Sequence, residues 1–77
     1  MLFLIEYARN LGKIVSFKKY EAVERETAQS DRLVLELYLR QRGEEHEVVL
    51  LEAASEEALR RTHARYFEDL SELVRVS

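Results

Sequence analysis

LFLIEYARNLGKIVSFKKY, residues 2–20, decides the fold. Its first seven residues, 2–8, are apolar and aromatic and read as a strand. Arg9-Asn10-Leu11-Gly12 supplies turn chemistry, with Asn10 and Gly12 suited to positive φ. Residues 13–20 read as the return strand of a hairpin. Alternation places Val15 and Phe17 on one of its faces and Ile14, Ser16 and Lys18 on the other. Lys13, Lys18 and Lys19 mark it as a solvated edge, where charge blocks unwanted pairing. Leu2, Phe3, Leu4 and Ile5 are apolar on both faces, so the first strand belongs at the centre of its sheet.

Residues 21–42 contain no Gly or Pro and are rich in Glu, Arg, Leu and Ala. Glu21–Arg25, Arg32–Glu36 and Glu36–Arg40 fall at i,i+4, Arg40 and Arg42 complement a C-terminal dipole, and Gly43 suits a C′ position. Ser30-Asp31 offers an internal N-cap, but one helix is the simpler reading. Residues 47–53 (EVVLLEA) read as a third strand. A second helix then starts at Ser55, an N-cap followed by two glutamates. Along it Leu59, Thr62, His63, Tyr66, Leu70 and Leu73 share one side, and Asp69 with Glu72 suggests a restart near residue 68. The order β-β-α-β-α predicts an α+β fold: a three-stranded antiparallel sheet in order 2-1-3, with a long helix and a C-terminal helix packed on it. Short, right-handed connections put strand three beside strand one, parallel to strand two.

Residues 1–77 are expected to form a single small α+β domain. A chain this short buries only about 60% of its unfolded surface, so its core needs support. The absence of Cys excludes disulfides, thiolate metal sites and a cysteine nucleophile, leaving good helix packing and oligomerisation as supports. With 47% apolar and 35% charged residues the composition argues against disorder, and the net charge of −3 excludes attachment to nucleic acid by bulk charge. The opening apolar run ends at Glu6, too early for a secretory signal or a membrane span, so a cytoplasmic location without membrane attachment is expected.

Chemistry-bearing patterns are sparse. Two histidines, His46 and His63, lie outside any metal-ligand spacing, so neither a metal site nor a cofactor is expected; a metal site would have to cross a subunit interface. His63 with Tyr66 and Glu6 forms the candidate polar site, in which His63 would act as a general acid or base. The plainer reading places His63 on the packing face of its helix. Glu6 is a carboxylate inside an apolar strand; its plainer reading is a headgroup reaching water near the strand end. Arg60, Arg61 and Arg65 pair at i,i+4 with Glu56, Glu57 and Asp69, as on a solvated helix face. Lys13, Lys18 and Lys19 interleave with Phe17 and Tyr20, a pattern compatible with single-stranded nucleic acid. Nothing resembles a nucleophile elbow or a phosphate-binding glycine loop.

The second half of the long helix carries the strongest signal. Leu33, Val34, Leu35, Leu37, Tyr38 and Leu39 span roughly 240° of it, leaving Arg32, Glu36 and Arg40 on the polar side. A helix lying on one sheet needs little more than about 100° of apolar surface. The excess predicts a homodimer, with Leu35, Leu39, Leu2 and Leu4 as candidate interface residues. The leading expectation is therefore a non-catalytic, homodimeric protein-interaction or assembly module. A regulatory or nucleic-acid-binding protein using the lysine-bearing hairpin comes second, and a small enzyme with an intersubunit site around His63 third.

Overall fold

The computed structural model describes residues 1–67. Strand β1 (Leu2–Ala8) is the centre of a three-stranded sheet, flanked by β2 (Lys13–Tyr20) and β3 (Glu47–Glu52), both antiparallel to it. The order β2-β1-β3 is the one expected from the two-sided apolar character of β1. Gly12 closes the hairpin at φ 65°, its amide bonded to the Ala8 carbonyl at 2.8 Å; Asn10 does not take positive φ.

One detail of β2 departs from simple alternation. Glu6 faces Ser16, but Tyr7 faces Ile14, so Val15 is an extra residue in the ladder. This bulge turns Ile14 onto the face of Phe17 and leaves Val15 half exposed, reversing the placement that strict period two assigns to Ile14 and Val15.

The pleat then sorts the core into two layers. Leu2, Leu4 and Tyr20 pack with Ala28 of the long helix, backed by Leu35, Val48 and Leu50. Phe3 and Ile5, on the opposite face, pack with Leu59, backed by Ile14, Phe17, Val49, Leu51 and Phe67. The two helices therefore cover opposite faces of the sheet.

The long helix is continuous, without an internal cap at Ser30. It enters through a 3₁₀ turn (Ala22–Glu24), in which the Glu24 carboxylate accepts the Glu21 amide, and continues as α1 (Arg25–Arg42). Gly43 ends it at φ 69°. Arg25 reaches across to Glu52 rather than lying along its own helix. The stripe of α1 turned toward the sheet is Ala28, Asp31, Arg32, Leu35, Glu36 and Leu39. Arg32 and Glu36, expected on the solvent side, are thus half buried against the fold, while Leu33, Val34, Leu37 and Tyr38 point away from it.

Helix α2 (Glu56–Thr62) is capped by Ser55, whose Oγ accepts the Ala58 amide at 3.1 Å. It is shorter than its apolar spacing suggested. Thr62 folds its hydroxyl back onto the Ala58 carbonyl, and His63, at φ −128° and ψ 46°, leaves the helical conformation. A 3₁₀ turn (Ala64–Tyr66) follows. Leu59 and Tyr66 are both buried even so. Leu70, Leu73 and the suggested capping pair Asp69 and Glu72 lie outside the described residues. No described helix is long and apolar enough to cross a membrane.

Candidate functional site

The polar groups collect at one end of β1, on both faces of the sheet. Glu6 shares the α1-facing side of β1 with Leu2 and Leu4 and is only 7% exposed, so its carboxylate does not reach water as its plainer reading supposed. Ser16, directly across the ladder on β2, donates its hydroxyl to Glu6 Oε1 at 3.3 Å. The other oxygen, Oε2, is hydrogen-bonded to His46 Nδ1 at 2.5 Å. The loop after α1 makes this possible. The left-handed Gly43 reverses the chain, the Glu44 amide bonds back to the Leu39 carbonyl at 3.0 Å, and Glu44-Glu45-His46 then crosses the end of β1. Glu44 joins the pair: one ligand atom each from Glu6, Glu44 and His46 all lie within 4.8 Å of one another. A cavity of about 570 Å³, bordered by Glu36, Arg40, Glu44 and His46, opens beside the cluster.

On the opposite face Glu47 is the hub. Its carboxylate accepts from Arg9 Nη2 at 2.8 Å, from Arg65 Nη2 at 2.9 Å and from the Tyr66 hydroxyl. The Tyr66 hydrogen bond, then those from Arg9 and Arg65, hold the Glu47 carboxyl below its ordinary range. Burial, reinforced by Glu47, pushes the Tyr66 hydroxyl up. Tyr7 meets the Tyr66 ring edge-on at 5.2 Å, completing a clamp that ties the segment after α2 to the sheet. With donors on every side, this carboxylate is a tether rather than an open site.

The candidate polar site does not assemble as one unit. His63 stacks on Tyr66 and contacts the Thr62 hydroxyl at 2.9 Å, whereas Glu6 lies through the sheet on the other face. Tyr66 turns to Glu47, and Arg65, assigned from spacing to Asp69, also reaches Glu47. Arg60 and Arg61 pair with Glu56 and Glu57 as expected.

The lysines also divide. Lys13 and Lys18 stand opposite Ala8 and Leu4, Lys19 opposite Phe3, so they do not share one face. Lys18 is engaged by Asp31 and the Tyr20 ring. Phe17 packs between Phe3 and Phe67, and Tyr20 is buried with its hydroxyl on Asp31 at 2.6 Å. No aromatic platform faces outward beside these lysines among the described residues. Of the candidate interface residues, Leu2, Leu4 and Leu39 are buried within the chain and Leu35 packs against the same layer.

The residue that sequence reasoning passed over is His46. It stands 40 positions from Glu6, with no local motif between them. Only the β1–β3 register, Glu6 against Val48, brings them to one face. No family model, no curated protein and no solved structure matches this chain.

Proposed function

We propose that the chain is a non-catalytic interaction module that self-associates through the outward face of α1. One observation carries this reading. Leu33, Val34, Leu37 and Tyr38 are 53%, 66%, 55% and 51% exposed on a helix whose inner stripe already contains Asp31, Arg32 and Glu36. Beyond the inward Ala28, Leu35 and Leu39, α1 turns a second apolar surface outward, more than its own sheet covers.

Charge favours a second copy as the occupant. The outward face carries the exposed Glu26 near its start and the exposed Arg40 near its end, each seven residues from Leu33. An antiparallel pair centred on Leu33 sets Glu26 of one copy beside Arg40 of the partner subunit and opposes the two helix dipoles. Pairing through the β3 edge is disfavoured by the same logic. An antiparallel β3–β3 ladder would set Glu47 against Glu52 of the partner subunit.

Covering the exposed half of each of these side chains is worth about 1 kcal/mol. Leu37→Glu therefore removes about 2 kcal/mol from a two-fold interface by lost burial alone, roughly a thirtyfold loss of affinity. Light scattering on the eluting protein tests this. The expected result is a dimeric parent chain and a monomeric Leu37→Glu variant with unchanged circular dichroism. A parent chain monomeric throughout overturns the proposal and leaves the α1 face to residues beyond Phe67 or to a different protein. Leu35→Glu or Leu39→Glu would not serve, because both residues belong to the core.

A further inference from the structure

We propose that Glu6, Glu44 and His46 form a binding site for a divalent transition-metal ion of the zinc class. The set is mixed rather than merely acidic: two carboxylates and one imidazole suit zinc, iron or manganese, whereas calcium and magnesium favour oxygen alone. Three protein ligands leave one position of a tetrahedral ion free, and the cavity of about 570 Å³ lies beside it.

Geometry needs little adjustment. Donors about 2.1 Å from a tetrahedral ion stand roughly 3.4 Å apart. Glu6 Oε2 and His46 Nδ1, at 2.5 Å, must open by about 1 Å, and all three donors already lie within 4.8 Å of one another. The fixed member is Glu6 on the central strand; the adjustable ones sit on the loop after Gly43.

Support around the cluster is divided in the way a ligand needs. Ser16 holds Glu6 Oε1, leaving Oε2 for the ion, so the carboxylate is oriented without being consumed. A cation also answers an electrostatic demand. Glu6 is more than nine-tenths buried, Glu44 adds a second carboxylate, and among the described residues the only guanidinium paired with Glu44 is Arg42, at 3.5 Å and exposed.

Titration calorimetry with zinc, together with the visible absorption of the cobalt-loaded chain, tests the site. The expected outcome is one ion per chain with micromolar or tighter affinity and a cobalt spectrum of low coordination number. Glu44→Gln and His46→Gln should each weaken binding by at least about tenfold, and His63→Gln should leave it unchanged. Glu44 is exposed, so its variant keeps the fold and isolates the ligand role. Three results overturn the proposal: no binding at millimolar metal, full binding by Glu44→Gln, or a loss in His63→Gln equal to that in His46→Gln.

Discussion

Leu59→Ala is the sharpest probe of the two-faced core. Leu59 is 0% exposed, the one fully buried residue of α2, and it seats on Phe3 and Ile5. Truncating such a leucine costs about 2–5 kcal/mol, the lost transfer term plus the cavity left behind. A chain of this length has a total stability of about 4–12 kcal/mol, so the variant stands near the edge of folding. The loss should also be local in its first effect. A seven-residue helix does not persist alone, and the Ser55 cap contributes only about 1 kcal/mol, so α2 depends on this anchor. Urea unfolding followed by circular dichroism at fixed protein concentration gives the free-energy change. Val23→Ala, at a position 94% exposed, serves as the surface control and should stay within about 0.5 kcal/mol of the parent. A Leu59→Ala cost below about 1 kcal/mol would refute the reasoning. It would mean that α2 does not cover the second face of the sheet, and that face would re-enter as a contact surface.

Other expectations follow from single contacts. Glu47→Gln leaves Arg9, Arg65 and Tyr66 without their charged acceptor and should cost about 1–3 kcal/mol by chemical denaturation, with loss of the near-ultraviolet signal of Tyr66. Burial and then Asp31 push the Tyr20 hydroxyl up to about 12 from 10.0. Its contribution is complete below pH 10 and lost as the pH rises toward 12, so Tyr20→Phe should flatten the alkaline fall in stability over that interval and remove the last phenolate to appear in a 295 nm titration. Gly43→Ala meets open space but must hold φ near 69°, and should lower stability by about 1 kcal/mol.

Much of the architecture was legible because the signals were local. The two-sided apolar run Leu2–Ile5 placed β1 at the centre, Gly12 and Gly43 marked the two left-handed positions, and Ser55 marked the start of α2. What was not legible depended on register and on tertiary choice. The Val15 bulge follows from how β2 meets β1, and alternation within β2 alone cannot reveal it. The turn of α1 about its axis is hidden from the sequence for a related reason. Counting apolar residues finds a wide arc but not which edge of it the sheet takes, and the sheet takes the edge that includes Arg32 and Glu36. Helix α2 ends where His63 takes φ −128° and ψ 46°, a backbone departure that apolar spacing does not register. The pairing of Glu6 with His46 joins two positions whose neighbours in sequence share no chemistry, and only the β1–β3 ladder brings them together.

The central claim is that the outward face of α1 is a self-association surface. Sedimentation equilibrium of the unaltered chain at micromolar concentration tests it most directly. The account predicts a mass near twice 9.1 kDa that falls toward 9.1 kDa on dilution. A folded species that stays at 9.1 kDa across the whole range would contradict it.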